Sequence, residues 1–347
     1  MADDGGAAHR GSAMELDIAH VPQEAGTGPL PGGSRVDALI EAAYAHAATH
    51  HAGTVADYIP ALATADPAQF GLSLVDVHGG AHEAGDAAAL FSIQSISKAF
   101  VYALLCEAVG HEEALATVGV NNTGLAFNSV VAIELNGGHP RNPMVNAGAL
   151  ATTALIPAAD PERRWLTIQH GLSRFAGRPL ELDDAVYASE MAANQRNAAI
   201  AQLLESYGRI REDPAGVVDV YTRQCSLLVS AHDLAVMGAT LADGGVNPVT
   251  GERVVSAEVA RDTLAVMSAS GMYENSGEWL FEIGLPGKSG VAGGIVCVAP
   301  GKGGIATFSP PLDAAGNSVR GQIATAYLSR ALGLNLFASS SHFAQKE

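Results

Sequence analysis

Two short motifs place serine and lysine where they could perform nucleophilic chemistry. Ser95 and Lys98 stand three residues apart, and a second lysine begins the motif Lys288-Ser289-Gly290. On a helix, residues three apart share a face, so a neutral Lys98 amine could accept the proton of the Ser95 hydroxyl. The second lysine would help to keep that amine in a form that can accept a proton, and it would help to hold an anionic substrate. The two motifs predict a serine nucleophile that is activated by lysine.

The first motif needs its context, because Ser-x-x-Lys is short enough to occur by chance. Ser92 is expected to cap a helix that begins near Ile93, which puts Ser95 in the first turn. Free backbone N–H groups and the helix dipole favour an anion there. In the alternative interpretation, Ser92 and Ser95 are helix caps and Lys98 is a solvated side chain. The presence of the second motif favours the catalytic interpretation.

The second motif is expected where a loop enters a strand that covers residues 290–299. Ala292 and Gly293 would let a ligand lie against the strand edge and meet backbone N–H groups, as an oxyanion hole requires. Gly287-Lys288-Ser289 also imitates the end of a phosphate-binding P-loop. Glu282 stands where that loop needs its first glycine, so the P-loop interpretation fails.

One histidine pair suggests a metal. His46 and His50 lie one turn apart on an expected helix and could share a zinc ion, although an exposed polar helix face is the favoured interpretation. We therefore predict neither a metal nor a cofactor.

The elements that must position these motifs follow from hydrophobic periodicity and turn residues. Helices are expected over residues 36–50, 98–109, 146–156, 197–207, 229–243 and 319–333, and strands over 70–77, just after 80, 290–299 and 305–309. Strands at both ends of the chain must pair with each other. The expected fold class is therefore α+β: an antiparallel sheet from both chain ends flanked by helices, with a mainly helical subdomain inserted between them. Ser230 and Asp233 predict a capping box before one of these helices.

The expected domain boundaries follow from the same distribution of helical and strand patterns along the sequence. Residues 1–34 are expected to form a loose tail, and residues 339–347 a second one. The folded domain is expected over 35–338. Its sheet part covers 35–91 and 286–335, and its helical part covers 92–285.

Composition excludes several kinds of partner. The chain has 36 acidic and 19 basic residues, a net charge of −17. It therefore lacks the excess of positive charge that is typical of nucleic-acid-binding proteins. No apolar stretch reaches the roughly 18 residues that span a membrane. Cys106, Cys225 and Cys297 form no C-x-x-C motif and are expected to be buried, reduced thiols. Together with the missing signal peptide, this indicates the cytoplasm.

With both lysine motifs in order around a helical region, the chain resembles the serine β-lactamase and penicillin-binding (transpeptidase) fold, an α/β/α sandwich. A closer resemblance, to the serine-dependent glutaminases, covers residues 40 to 310. It rests on successive blocks that include Asp57-Tyr58-Ile59-Pro60, Gln94-Ser95-Ile96-Ser97-Lys98, Phe127-Asn128-Ser129, Asn142-Pro143-Met144-Val145-Asn146-Ala147-Gly148-Ala149, Tyr187-Ala188-Ser189-Glu190, Arg196-Asn197, Tyr221, Gln224-Cys225-Ser226, Gly271-Met272-Tyr273 and Gly287-Lys288-Ser289-Gly290-Val291.

The resemblance implies hydrolysis of the L-glutamine side-chain amide to L-glutamate and ammonia, without metal or cofactor, by a homodimer or homotetramer. It implies that Ser95 is the nucleophile and Lys98 its base, and that the backbone N–H groups of Ser95 and Val291 hold the oxyanion. Tyr221 and Tyr273 would bind substrate and relay protons. Lys288 is also placed among the catalytic residues, and the other implied pocket residues are Tyr58, Asn146, Glu190 and Asn197.

This set suits a free amino acid, because a carboxylate such as Glu190 can pair with an α-ammonium. Taken singly, Glu190 could equally be a capping carboxylate and Asn146 a helix cap. Two other hypotheses stay open: a penicillin-recognising hydrolase, which the missing export signal opposes, and a catalytically silent homologue that binds an amino acid.

Overall fold

Strands from both ends of the chain form one antiparallel sheet of five strands, in the order β2-β1-β7-β6-β5. The computed structural model describes Met14, residues 16–26 and residues 28–340. The strands are β1 (Gly71–Asp76), β2 (Ala81–Gly85), β3 (Phe91–Ser92), β4 (Leu228–Val229), β5 (Gly287–Gly290), β6 (Gly294–Ala299) and β7 (Gly303–Phe308). Short strands β3 and β4 pair separately.

The register joins the two chain ends directly. Gly71 of β1 stands opposite Phe308 of β7, and Phe308 stands opposite Gly294 of β6. The N-terminal hairpin therefore extends the C-terminal strands.

Helices cover the sheet and fill the segment between its two halves. They are α1 (Gly33–Ala48), α2 (Ser97–Val109), α3 (His111–Val118), α4 (Val131–Glu134), α5 (Asn146–Leu155), α6 (Pro161–Ala176), α7 (Asp184–Ala193), α8 (Gln195–Ser206), α9 (Pro214–Cys225), α10 (Ala231–Ala242), α11 (Ala257–Ser270), α12 (Ser276–Glu282) and α13 (Val319–Ala331). The capping box predicted at Ser230 and Asp233 is present at the start of α10. None of the helices in the described part of the chain is long and apolar enough to cross a membrane.

Alternating side chains of the strands face two separate cores, as the period of two in a strand requires. Leu72 and Leu74 of β1 join a core with residues of α1 and α13, whereas Val75 joins a second core with residues of α2 and α10. Helix α10 lies close to the sheet at Gly304, where an added Cβ would lie 2.3 Å from the carbonyl oxygen of Ala235. The result is an α/β/α sandwich, and the predicted fold class is confirmed.

Two local predictions need correction. The motif at Lys288 does not lie in a loop that enters a strand; it forms the edge strand β5, and residues 291–293 make the turn to β6. Glycine and serine are poor strand formers, but pairing of Lys288 with Val296 holds the backbone extended. Ser92 lies in β3 and caps no helix, and a 3₁₀ turn over Gln94–Ile96 precedes α2.

The expected N-terminal tail differs from the structure in its described part. Leu16, Ile18 and Val21 are buried in the core beneath α1 and α13. The amide of Glu24 donates a hydrogen bond of 3.0 Å to the carbonyl of Arg330. These apolar side chains attach the segment to the domain. Residues 1–13, 15 and 27 of the expected tail, and 341–347 of the C-terminal one, lie outside the described residues.

Candidate active site

A cavity of about 480 Å³ lies between the sheet and the inserted helices. Its wall includes the 3₁₀ turn before α2, the first residue of α5, residues of α7, α8 and α9, and the turn after β5. Seven of the residues singled out in the sequence line it: Tyr58, Ser95, Asn146, Glu190, Asn197, Tyr221 and Val291. Lys98, Tyr273 and Lys288 are buried beside it rather than in its lining.

The backbone around Ser95 is constrained. Gln94, immediately before it, has a φ of +52°, a left-handed conformation that is costly for a side chain other than glycine or asparagine. The amide of Ile93 is fixed by a 2.8 Å hydrogen bond to the carbonyl of Leu227. Gly290 at the end of β5 packs so closely that an added Cβ would lie 3.0 Å from the carbonyl oxygen of Ile93. These contacts hold the Ser95 turn against the turn that carries Val291.

Lys98 lies in the first turn of α2, with its side chain only 1% exposed. Its Nζ donates hydrogen bonds to Asn146 Oδ1 at 2.6 Å and to the carbonyl of Met144 at 3.4 Å. Burial lowers the pKa of Lys98 to about 8, against the opposing attraction of Cys225 and Glu190. Far more of this amine is therefore neutral at neutral pH than of an ordinary lysine, which favours a role as general base.

Tyr273 connects the nucleophile to the second lysine. The Tyr273 hydroxyl donates a 3.3 Å hydrogen bond to the carbonyl of Ser289 and lies close enough to Ser95 to feel its hydroxyl, and burial raises the pKa of the phenol far above its usual range. Lys288 Nζ lies 4.5 Å from the centre of the Tyr273 ring and donates to the carbonyl of Ser289 at 2.6 Å. Burial, together with repulsion from Lys98, holds the pKa of Lys288 well below its usual range. Two buried lysines, each with a lowered pKa, thus lie close to the Ser95 turn and Tyr273.

The cavity wall also carries a carboxylate and two amides. Glu190 Oε1 accepts a 2.6 Å hydrogen bond from Gln94 Nε2. Burial raises the pKa of Glu190 to about 7, although the bond from Gln94 and the charge of Lys98 oppose this shift. Asn146 Nδ2 donates to Asn197 Oδ1 at 2.8 Å. A cationic group that enters the cavity would favour the ionised form of Glu190.

The remaining predicted residues occupy three different environments. Tyr221 is buried, and its ring centre lies 6.0 Å from Lys98 Nζ. Tyr58 is 60% exposed and lies at the rim. Val291 is in the turn after β5, and its amide has no hydrogen-bond acceptor among the described residues. A free amide beside the nucleophile fits an oxyanion donor.

Sequence reasoning assigned no role to two cavity residues, Gln94 and Cys225. Gln94 orients Glu190, and its position next to the nucleophile was the available signal. Cys225 was expected only as a buried thiol, and it is buried and unpaired. Its place one turn after Tyr221 on α9 was the signal that it faces the same cavity.

The α/β/α sandwich, its inserted helices and the polar cavity between them define a hydrolase of the β-lactamase-like class. The protein-family model described as Glutaminase matches residues 53–337. The chain is 52% identical over 91% of its length to Glutaminase 2 of Yersinia pestis, of which it covers 93%, and 49% identical over 88% of its length to the Glutaminase of Mycobacterium ulcerans, of which it covers 95%. The chain belongs to the glutaminase family, and its activity is the hydrolysis of L-glutamine to L-glutamate.

Solved structures agree with this assignment. One described as the probable glutaminase YbaS superposes with a TM-score of 0.88 at 46% identity, covering 89% of this chain and 100% of that one. Another, described as Mglu in its glutamate form, has a TM-score of 0.84 at 41% identity and covers 88% of this chain and 70% of that one.

Proposed function

We propose that the hydrolysis proceeds through a covalent γ-glutamyl ester on Ser95, with Lys98 as the general base. The observation that carries the proposal is the grouping around one partly buried serine of a buried lysine with a pKa near 8, a neighbouring tyrosine hydroxyl and a free amide. Each supplies a different requirement of acyl transfer: a proton acceptor, a proton relay and an oxyanion donor.

In the acylation step, Ser95 Oγ bonds to the side-chain carbonyl carbon of glutamine. Its proton passes to Lys98, with the Tyr273 hydroxyl relaying it. The backbone N–H groups of Ser95 and Val291 stabilise the oxyanion. The proton is then delivered to the departing nitrogen as the carbon–nitrogen bond breaks, and ammonia leaves. Tyr221, which packs near Lys98, participates in substrate binding and in the same relay.

In the second step, water attacks the ester. Lys98 accepts a proton from that water, the bond to Ser95 Oγ breaks, and the serine regains its proton as glutamate forms. Lys288 stays out of the bond changes. Its Nζ lies 4.5 Å from the centre of the Tyr273 ring and helps to hold that ring in place.

The part of the cavity wall around Glu190 binds the amino-acid part of the substrate. Glu190 pairs with the α-ammonium, and the amides of Asn146 and Asn197, with Tyr58 at the rim, hydrogen-bond the α-carboxylate. The hydrogen bond from Gln94 supports this role because it fixes the carboxylate in place. A similar solved structure described in a glutamate form supports an amino-acid ligand here.

The test follows ammonia and glutamate release by wild type and by Ser95→Ala. We expect activity to vanish in the variant, and acid-quenched wild type to gain the mass of one γ-glutamyl group at the Ser95 peptide. Unchanged turnover in Ser95→Ala would overturn the assigned nucleophile. A full-activity enzyme that never carries the adduct under rapid quench, even with hydroxylamine as trap, would overturn the covalent step.

We also propose that the enzyme acts in the cytoplasm as a homodimer or homotetramer. Three buried cysteines without disulfides suit a reducing compartment. Phe281 and Phe337 are 83% and 69% exposed, and the bond from Leu336 N to Gly284 O brings their segments together as an apolar surface that a second copy could cover. Light scattering of wild type and Phe281→Glu tests this: the variant should have the lower mass, and a monomeric wild type would refute it.

A further inference from the structure

A cluster of three potential metal ligands lies outside the active site, where the N-terminal segment meets α1. Asp17, His46 and His50 each offer one ligand atom, and these atoms lie within 4.8 Å of one another. His46 and His50 lie one turn apart on α1, whereas Asp17 comes from the segment 16–26. The fold therefore adds a carboxylate to a histidine pair that sequence analysis expected to face solvent.

The protonation pattern leaves lone pairs free for a cation. His50 Nδ1 lies 3.2 Å from the carbonyl oxygen of His46. When Nδ1 donates its proton there, Nε2 carries the lone pair. Zinc-bound histidines are commonly oriented by a hydrogen bond of this kind from the other ring nitrogen.

The spacing fits a tetrahedral ion. His50 Nε2 lies 3.6 Å from Asp17 Oδ2. Two ligand atoms that are each about 2.0–2.2 Å from a tetrahedral zinc lie about 3.4 Å apart. The two atoms therefore need only a small adjustment to share one ion, and water would complete the coordination.

His46 supplies the second, independent observation. Its Nε2 is buried and has no hydrogen-bond partner in the part of the chain that the structure describes. A buried nitrogen without a partner costs free energy, and a metal ion would remove that cost. The His20 ring packs edge-on at 4.9 Å between centroids, and the Tyr327 ring lies at 6.0 Å. These rings limit the movement of His46.

An ion pair between a protonated His50 and Asp17 is the simpler alternative. It would account for the 3.6 Å contact but would leave the His46 nitrogen unused. Asp17 is 73% exposed and His50 24% exposed at the side chain, so an ion can reach the cluster from solvent.

We propose that Asp17, His46 and His50 form a binding site for a divalent transition-metal ion of the zinc type, which would fasten the N-terminal segment to α1. Imidazole and carboxylate ligands suit zinc, and cobalt can replace it as a spectroscopic probe. None of the three residues lines the cavity, so the metal contributes to stability rather than to glutamine hydrolysis.

The test uses full-length protein without a polyhistidine tag, stripped with chelator and titrated with zinc chloride against a chromophoric competitor. Wild type should bind one zinc per chain with a dissociation constant in the micromolar range or tighter. His46→Gln, His50→Gln and Asp17→Asn should each weaken binding at least tenfold. His51→Gln, at the neighbouring exposed histidine, should bind as wild type does.

Two further measurements distinguish the loss of a metal ligand from misfolding of a variant. Cobalt should give tetrahedral visible bands in wild type and in His51→Gln but not in the three ligand variants. Zinc should raise the Tm of wild type and leave that of Asp17→Asn unchanged, and glutaminase activity should stay the same in all of them. Equal zinc binding by wild type and a His46→Gln/His50→Gln double variant, or wild-type binding by Asp17→Asn, would overturn the three-ligand site.

Discussion

Lys98 Nζ donates a 2.6 Å hydrogen bond to Asn146 Oδ1 in the wall of the cavity. Because Asn146 Nδ2 in turn bonds Asn197 at 2.8 Å, the amide is oriented with its oxygen toward the lysine. An amide oxygen stabilises the protonated amine less than a carboxylate would, so burial still lowers the pKa of Lys98 to about 8. An uncharged residue at position 146 therefore helps to keep the pKa of Lys98 as low as about 8.

This contact predicts an opposite effect of two substitutions on the pH profile of kcat/KM. If neutral Lys98 is the active form, wild-type kcat/KM rises with pH through about 8. Asn146→Asp adds a negative charge beside the amine and should move the midpoint upward by about 1 pH unit or more. Asn146→Ala removes an acceptor of the protonated form and should move it downward. Steady-state rates from pH 5 to 10 measure both.

A matched control separates the contact from the added charge. Asn128→Asp puts the same charge on the cavity wall, at a residue without a hydrogen bond to Lys98 in the described part of the chain. Its midpoint should move less than that of Asn146→Asp. Equal shifts in the two variants would show that the pH dependence does not come from the 2.6 Å bond.

The fold could be predicted where the sequence pattern is periodic. Strand-forming residues followed by a turn predicted β1, and helical spacing predicted α10 with its Ser230 and Asp233 capping box, because both signals are local. Strand β5 was missed as a strand because Gly287–Gly290 has no strand-forming side chains, and its conformation comes from pairing with β6. Burial of Leu16 depends on a long-range contact that local pattern does not encode.

The site was predicted as a set of residue types, and the contacts between them were not predictable. The resemblance brought Ser95, Glu190 and Tyr221 into one list, and the structure brings them to one cavity. No spacing rule indicated that Gln94 bonds Glu190 across ninety-six positions, or that Lys98 points its amine at Asn146. Such pairs depend on how separate helices pack.

Glu190 should control substrate affinity in a pH-dependent way. Its pKa is raised to about 7 by burial, so at lower pH a growing fraction is neutral and cannot pair with an α-ammonium. We expect the wild-type KM to rise as pH falls below about 7. Glu190→Gln should raise KM by about 30-fold to 1000-fold, the equivalent of about 2–4 kcal/mol, and should remove this pH dependence. Initial rates with glutamine and calorimetry with glutamate measure the two effects.

Glu274→Gln is the control for that substitution. Glu274 follows Tyr273 in sequence but is exposed and does not line the cavity. The Glu274→Gln variant should have a KM, and a pH dependence of KM, close to those of wild type. If Glu190→Gln keeps the wild-type KM, the carboxylate does not hold the α-ammonium.

Lys288 should lower the stability of the fold. It is fully buried, and burial holds its pKa well below the usual value of 10.5, so folding disfavours the protonated form that the unfolded chain holds at neutral pH. Lys288→Met should therefore raise the free energy of unfolding by about 1–3 kcal/mol near pH 7 while activity falls. The gain should shrink as pH rises through about 10.5, where the unfolded lysine is also neutral. Thermal unfolding of both proteins from pH 6 to 11 shows whether the substitution raises the free energy of unfolding and how the difference changes with pH.

Lys302→Met provides the comparison. Lys302 is partly exposed and donates hydrogen bonds to the carbonyls of Gly26 at 2.7 Å and Gly333 at 3.1 Å. Its replacement removes those bonds and should lower the Tm. A Tm decrease in both variants would contradict the assignment of Lys288 as a destabilising buried amine.

Gly290 should be essential for the alignment of the nucleophile with the Val291 amide. A Cβ at position 290 would lie 3.0 Å from the Ile93 carbonyl oxygen and 3.3 Å from Gln94 Cβ, so Gly290→Ala must push β5 away from the Ser95 turn. A displacement of a few tenths of an ångström should lower kcat by up to about 10²-fold, with KM changed much less. Gly277→Ala is the control, because that glycine lies in α12 with nothing within 4 Å of the added Cβ. It should keep full activity, and a Gly290→Ala enzyme with wild-type kcat would show that the close approach of β5 does not set the catalytic geometry.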